Sequence, residues 1–167
     1  KGVGFLYASS ADFDSYLHGG DQEQKKRAGT ENLAAIVGMV AALKEDLNDQ
    51  VEHYQKLSAL KSAFLEEIAG LKYYLNESNH QLPYVVNIGF PGQKNDLLLL
   101  RLDLEGISIS TGSACTAGIV QTSHVLEAFY GPDSHRLKES VRISLSPFNT
   151  EEELKQLAQT LKNIIGD

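Results

Sequence analysis

The stretch that decides the fold is a short strand followed by a helix in the middle of the chain. Residues 84–92 read Tyr-Val-Val-Asn-Ile-Gly-Phe-Pro-Gly, and their β-branched and aromatic content predicts a strand that ends at the Pro-Gly pair. An apolar helix is predicted over residues 96–105, and Gly106 is expected to end it. Residues 107–110 alternate in polarity, which predicts a second strand.

The flanking segments on both sides add further predicted helices and one more strand. Upstream, apolar residues at helical spacing predict two helices in tandem, over residues 33–47 and about 51–68. Downstream, Ser123 is expected to cap a short helix, and residues 141–145 alternate as a strand. Thr150 then opens a last amphipathic helix with a capping box.

The predicted fold class is therefore α+β, a small and mostly antiparallel sheet with packed helices. The small apolar run over residues 3–7 predicts another short strand. Residues 8–31 are polar and glycine-bearing without a clear period. An irregular stretch of this length is usually functional or packed on a partner.

Composition and charge exclude several classes of protein. The chain has 167 residues with 22 Asp and Glu against 15 Lys and Arg, and the net charge of -7 argues against direct binding of nucleic acid. No apolar run approaches the ~20 residues of a membrane span. One cysteine and no ligand spacing among the histidines predict that no metal is bound. Such cysteine usage favours a reducing, cytoplasmic setting.

Cys115 is the residue with the most informative surroundings. It lies within residues 111–118, Thr-Gly-Ser-Ala-Cys-Thr-Ala-Gly, where almost no side-chain bulk covers it and a loop is predicted. A nucleophilic thiolate needs such access, together with a nearby cation or helix dipole that lowers its pKa. The alternative is a small apolar residue that fills a tight turn, and the residues alone leave both interpretations open.

Arg142 and Thr30 are the other two candidates. Arg142 lies in the middle of an alternating strand, where an inward-facing guanidinium would bind a carboxylate with two hydrogen bonds. The alternatives are a solvent-facing arginine or a structural ion pair. Thr30 ends the run Arg27-Ala-Gly-Thr before a predicted helix, and could present its hydroxyl to a phosphate. The alternative there is an ordinary helix cap, supplied by Thr30 or by Asn32.

Several segments taken together resemble one family. Their order and wording are similar to the C-terminal half of NifS/IscS-type cysteine desulfurases, class V aminotransferase-group pyridoxal-phosphate enzymes of fold type I. The resemblance covers essentially the whole chain, and its two specific motifs are the cysteine loop and Arg-x-Gly-Thr-Glu-Asn. The segments are residues 18–23 (His-Gly-Gly-Asp-Gln-Glu), 27–32 (Arg-Ala-Gly-Thr-Glu-Asn), 110–116 (Ser-Thr-Gly-Ser-Ala-Cys-Thr), 141–146 (Val-Arg-Ile-Ser-Leu-Ser) and 149–153 (Asn-Thr-Glu-Glu-Glu).

The resemblance implies a domain organisation and a set of roles. Residues 1–32 would be the remnant of a large pyridoxal-phosphate-binding domain, with its last strand and an active-site loop. Residues 33–167 would form a bridging helix and the C-terminal small domain. Cys115 matches the catalytic cysteine that takes sulfur from L-cysteine, leaving L-alanine and an enzyme persulfide. Arg142 matches the arginine that binds the substrate carboxylate.

Further partners are implied by the same resemblance. Thr30 matches the threonine that reaches the pyridoxal-phosphate of the partner subunit, so a homodimer is implied. The persulfide would pass to sulfur-acceptor proteins for iron–sulfur cluster assembly or tRNA thiolation.

The chain departs from the family pattern at Asp21 and at Lys1, and it does not begin with methionine. Asp21 stands where the family usually carries a third glycine. Lys1 matches a later, non-catalytic lysine, so the Schiff-base lysine would lie upstream and this chain alone would be inactive. Met39 is the only methionine, which indicates that the chain is part of something longer. The alternatives are another class V pyridoxal-phosphate enzyme and a non-enzymatic sulfur-carrier or scaffold domain.

Overall fold

The structure is a computed structural model, and it describes residues 2–78, 81–112 and 122–166. The chain divides into two compact units, residues 1–50 and 51–167. Within the described ranges, no helix combines the length and the apolar character that crossing a bilayer needs. Cys115 lies outside the described residues.

The first unit is a largely irregular segment that leads into a helix. A short turn over Gln22–Lys25 is its main local element, and the backbone amide of Ala28 donates to the carbonyl of Leu17 at 3.2 Å. The strand predicted over residues 3–7 is wrong for this chain, because these residues take no strand conformation. A strand needs a neighbour that shares its hydrogen bonds, and no described residue pairs with this run, so its apolar character alone does not produce one.

The longest element is the helix α1, Leu33–Glu67. The sequence predicted two helices in tandem here, and the structure corrects this to one continuous helix. Residues 48–50, Asn-Asp-Gln, interrupt the apolar pattern but include no glycine or proline. These side chains lower helix propensity only slightly, so the backbone ladder continues through them.

The second unit contains a four-stranded antiparallel sheet, which confirms the predicted architecture. Its strands lie in the spatial order β1-β2-β4-β3. The central pair aligns Asn87 with Arg142, and the outer pair aligns Ser110 with Arg142. The strands are β1 (Tyr74–Leu75), β2 (Val85–Gly89), β3 (Ser110–Thr111) and β4 (Ser140–Ser144).

The described residues of this unit form four further helices, and three of them match the sequence prediction. Ser123 accepts a hydrogen bond from the amide of Leu126, as expected of a cap. Thr150 and Glu153 form the predicted capping box, and hydrogen bonds from the Asn149 side chain and the Thr150 backbone lower the pKa of Glu153. The helices are α2 (Asn95–Leu104), α3 (His124–Tyr130), α4 (Arg136–Glu139) and α5 (Glu151–Ile165).

The hydrophobic core lies between one face of the sheet and the helices. It contains residues of α1 beyond position 50, of α2 and of α5, packed against alternate residues of β2 and β4. Burial of this kind is the main source of stability for such a layer. The core residues are Leu57, Leu60, Phe64, Ile68, Val86, Ile88, Phe90, Leu98, Leu102, Val141, Ile143, Leu145, Leu154, Leu157, Ala158 and Leu161.

Candidate functional site

Arg142 lies on the face of the sheet that is turned away from the core helices α1, α2 and α5. In β4 its neighbours Val141 and Ile143 are buried in the core, so the arginine between them points to the opposite face. Asn87 of β2 lies opposite it on one side, and Ser110 of β3 on the other. The alternation that the sequence showed therefore places a cation at the centre of a polar surface.

The start of β4 is fixed by a buried amide. Asn95 is 8% exposed, and its Nδ2 donates to the carbonyl oxygens of Leu137 at 3.2 Å and Ser140 at 3.0 Å. A buried polar group is favourable when its hydrogen bonds are made, and these two hold α2 to the end of α4. The strand that carries Arg142 therefore begins at a residue whose position is fixed.

The guanidinium of Arg142 has an unsatisfied buried donor. Arg142 is half-buried, and its Nε has no hydrogen-bond partner in residues 2–78, 81–112 and 122–166. The five ion pairs within those ranges do not include it. Within those ranges Arg142 forms no structural ion pair, and its Nε does not face solvent. A buried donor without an acceptor costs about 1–3 kcal/mol, which an anionic ligand would recover.

A row of polar side chains leads to Arg142 from the edge of the sheet. Asn76, just after β1, donates from Nδ2 to the Oδ1 of Asn87 and to the Oγ of Ser140, both at 2.8 Å. Its own Oδ1 accepts from the Nη1 of Arg136 at 2.7 Å. Both donors of the Asn76 amide and one acceptor position of its oxygen are thereby used, so its orientation is well determined.

Arg136 also connects the sheet to the helix α3. Its guanidinium carbon lies 4.1 Å from the ring centroid of Tyr74 and 4.4 Å from that of Tyr130. Guanidinium groups stack favourably on aromatic faces. Because Tyr130 is the last residue of α3, this stack holds the end of that helix near β1.

The two described ends of the cysteine segment can be placed, although Cys115 itself cannot. The segment leaves from Thr111, which is paired with Val141 next to Arg142, and it rejoins the structure before Ser123 and α3. Cys115 follows Thr111 by four residues in the sequence.

Thr30 lies in the first unit and is exposed. The cap of α1 is Asn32, whose Oδ1 accepts from the amide of Ala35 at 3.2 Å. This decides between the two capping candidates, and it leaves the Thr30 hydroxyl without a structural task at the helix start. An exposed hydroxyl that does not cap the helix is able to donate a hydrogen bond to a phosphate oxygen.

The Asp21 departure is compatible with the local backbone. Asp21 has φ -85° and ψ 11°, which any residue adopts, so no glycine is required there. Left-handed φ values of 49°, 55° and 65° occur instead at three nearby residues, Glu23, Gln24 and Lys25. Such values are uncommon outside glycine and mark a locally strained turn next to the Arg-Ala-Gly-Thr motif.

The comparison with known families identifies the family of this chain. The sequence profile of the family described as aminotransferase class-V matches residues 1–157. The chain belongs to the class-V aminotransferase family. A protein of Bacillus subtilis (strain 168) named as putative cysteine desulfurase IscS 1 is 43% identical over 169 residues, covering 99% of this chain and 45% of its own length.

Other relatives of this class-V aminotransferase chain agree. Cysteine desulfurase NifS of Azotobacter vinelandii is 34% identical over 170 residues, covering 99% of this chain and 42% of its own length. The solved structure of a NifS-like protein from Rickettsia africae has a TM-score of 0.79 and 28% identity over 92% of this chain and 40% of that one. The chain thus spans less than half the length of these relatives, and its fold is that of fold type I pyridoxal-phosphate enzymes.

The sequence of this class-V aminotransferase chain did not identify several of the residues around Arg142. Asn87 carried a weak signal, because a polar residue between two buried ones in a strand must face away from the core. Asn76 and Arg136 carried none, since their contacts bridge segments about sixty residues apart. Among the residues that the structure describes, no group of three or more potential metal ligands comes together.

Tyr74 lies in the edge strand β1, and its hydroxyl is expected to ionise late. Its hydroxyl donates to the Oε2 of Glu139 at 3.0 Å. Burial, with the hydrogen bond and charge of Glu139 added, raises the pKa of Tyr74 to about 12, although Ser140 and Arg136 act in the opposite direction. The folded state then keeps the phenol proton that an unfolded tyrosine loses near pH 10. Stability from this group is complete below about pH 10 and is lost as the pH rises towards 12.

An ultraviolet absorbance titration measures this difference. We expect one of the seven tyrosines to ionise late in the folded protein, and Tyr74→Phe to remove that late step. Tyr16→Phe changes an exposed tyrosine and is the matched control, which should retain the late step. A late step that persists in Tyr74→Phe contradicts the assignment.

Proposed function

We propose that the protein to which this chain belongs is a pyridoxal-phosphate-dependent cysteine desulfurase. It would remove sulfur from L-cysteine and hold it as a persulfide on Cys115. The observation that carries the proposal is the half-buried guanidinium of Arg142, whose Nε lacks an acceptor among the described residues. This cation lies beside the strand that leads directly to Cys115. Relatives that are named cysteine desulfurases IscS and NifS support the same reaction.

Arg142 has the task of holding the substrate. Its guanidinium can donate two parallel hydrogen bonds to the α-carboxylate of L-cysteine, which fixes both position and orientation. A carboxylate bound to Arg142 would also accept a hydrogen bond from the buried Nε or from the other guanidinium nitrogens. Arg142 would thus hold the substrate while the substrate sulfur reacts with the Cys115 thiol.

Cys115 has the task of accepting sulfur. Its thiolate attacks the substrate Sγ, so a sulfur–sulfur bond forms while the bond between Sγ and Cβ breaks. The electron pair of the broken bond remains with the carbon, which takes up a proton to become L-alanine. The enzyme thiol plus L-cysteine thus give an enzyme persulfide plus L-alanine, and no external oxidant or reductant is consumed.

The described residues fit pyridoxal phosphate as the cofactor. Thr30 has an exposed hydroxyl that is not used as a helix cap, which suits a hydrogen bond to a phosphate oxygen. When bound, pyridoxal phosphate supplies the electron sink that carbon–sulfur cleavage in an amino acid requires. The family resemblance extends this to a homodimer in which Thr30 contacts the cofactor of the partner subunit.

The destination of the sulfur follows from the same resemblance. We infer acceptor proteins in iron–sulfur cluster assembly or tRNA thiolation, within the cytoplasm. The residues that flank Cys115 in the sequence are small, and a persulfide that is passed to another protein needs to be accessible to it.

The test is to incubate the pyridoxal-phosphate-loaded holoenzyme with L-cysteine and dithiothreitol and to measure products. We expect L-alanine and sulfide in equal amounts. A keto acid without L-alanine would instead indicate another class V enzyme. Absence of any product from L-cysteine, with sulfur still bound from a persulfide donor, would indicate a sulfur carrier without enzymatic activity.

A further inference from the structure

The amide row from Arg136 to Asn87 has a fixed direction. Arg136 carries only hydrogen-bond donors, so the group that it contacts on Asn76 has to be the oxygen. The nitrogen of Asn76 then faces Asn87, and the group it meets there has to be the Oδ1 oxygen. The orientation of both amides therefore follows from the chemistry of Arg136 rather than from an arbitrary choice between oxygen and nitrogen.

This direction leaves the nitrogen of Asn87 as a free donor. Its Oδ1 is occupied by Asn76, and its Nδ2 donates to no group in residues 2–78, 81–112 and 122–166. Directly opposed residues on adjacent antiparallel strands have Cβ atoms about 4.5–5.5 Å apart. Asn87 is opposed to Arg142 in this way, so an amide donor and a guanidinium with an unpaired Nε lie side by side.

We propose that Asn87 is a specificity-determining residue that gives the substrate α-carboxylate a further hydrogen bond beside Arg142. Asn76 and Arg136 are its positioning residues, because they hold the amide with its nitrogen available. The inference rests on the proposed function, since it assigns Arg142 to a carboxylate. A carboxylate has about four lone-pair positions, and a two-pronged guanidinium contact leaves room for another donor.

The chemistry of the neighbourhood favours a carboxylate over a neutral ligand. Asn87 and Arg142 both offer N–H groups, and Ser110 adds a hydroxyl on the other side of Arg142. None of the three carries a negative charge that would repel an anion. A neutral amide also adds direction without a second positive charge, so an amino acid with one carboxylate is matched by one guanidinium.

The first experiment uses Asn87→Ala in the pyridoxal-phosphate-loaded holoenzyme. We expect KM for L-cysteine to rise about tenfold while kcat changes less than about twofold, because one hydrogen bond to a charged group is lost from the bound substrate. Inhibition by L-alanine should weaken by a similar factor. Inhibition by ethylamine, which is L-alanine without its carboxylate, should be unchanged.

The second variant reverses the direction of the amide row and adds one negative charge at position 76. Asn76→Asp keeps a partner for Arg136 but removes the donor, so Asn87 has to turn its nitrogen towards Asp and its oxygen towards Arg142. We expect KM to rise at least as much as for Asn87→Ala, because the lost donor and the added charge both weaken binding of a carboxylate. The matched control is Asn163→Ala, which removes an exposed amide that is bonded only to Gln159 on α5 among the residues that the structure describes.

The outcomes separate this inference from the proposed function. Asn87→Ala and Asn76→Asp enzymes that keep the wild-type KM and the wild-type L-alanine inhibition would overturn the role of Asn87. Equal weakening of inhibition by ethylamine and by L-alanine would overturn it as well. If Asn87→Ala does not fold, a wild-type KM in Asn76→Asp still overturns the role of Asn87. A wild-type holoenzyme that forms no L-alanine from L-cysteine contradicts the proposed function instead.

Discussion

Replacement of Arg142 by alanine is expected to lower kcat/KM for L-cysteine by about a thousandfold in the holoenzyme. The guanidinium is assigned two charge-assisted hydrogen bonds to the α-carboxylate, and each is worth about 1.5–3 kcal/mol. Arg142→Lys keeps the positive charge but loses the planar fork, so we expect an intermediate loss of about ten- to a hundredfold. Steady-state kinetics with L-cysteine measure both variants.

A matched control separates this effect from loss of a surface charge. Arg101→Ala removes an exposed arginine on α2 whose Nη1 donates to the carbonyl of Ile164 at 3.3 Å. It should keep wild-type kcat/KM. Because the Nε of Arg142 is buried without a partner among the described residues, Arg142→Ala should not reduce stability strongly. An Arg142→Ala enzyme with wild-type kinetics would show that the carboxylate binds elsewhere.

Replacement of Cys115 by serine is expected to lower L-alanine formation from L-cysteine by at least about a thousandfold. Serine has no thiolate, and its oxygen cannot form the sulfur–sulfur bond that the reaction needs. Binding of substrate should survive, since Arg142 is unchanged. The measurement is L-alanine produced in a single turnover, together with inhibition by L-alanine.

The two variants are therefore predicted to fail in different ways. Cys115→Ser should retain wild-type inhibition by L-alanine, whereas Arg142→Ala should lose it. Since the chain has one cysteine, wild-type labelling by a thiol reagent reports on Cys115 without interference from another cysteine of this chain. A Cys115→Ser enzyme that forms L-alanine at the wild-type rate would rule out the persulfide on this residue.

The parts of the fold that the sequence predicted are those set by local periodicity. The strand at β2, the alternation at β4 and the Thr150 capping box all depend on residues within a few positions of one another. Arg142 became a candidate for the same reason, because the alternation in its own strand places it on the opposite face from its apolar neighbours. Its role as a ligand of the substrate stays a prediction.

The parts that were missed depend on distant residues. The amide row joins Asn76, Asn87 and Arg136, which lie on three separate segments of the chain. No spacing rule connects them before the sheet has formed. The single helix α1 was missed because weakly helical residues were interpreted as a break. The strand predicted over residues 3–7 is the opposite error, because an element was predicted where none forms. An apolar run forms a strand only where a neighbouring strand pairs with it.

Mass spectrometry of the peptide that contains Cys115 tests the proposed sulfur transfer at the reacting atom itself. The holoenzyme is mixed with L-cysteine in the absence of any other thiol, and the reaction is stopped with an alkylating reagent. We expect the Cys115 peptide to gain the mass of one sulfur atom in step with the L-alanine formed, and Arg142→Ala to slow both together. L-alanine formation with a Cys115 peptide of unchanged mass would contradict the proposed reaction.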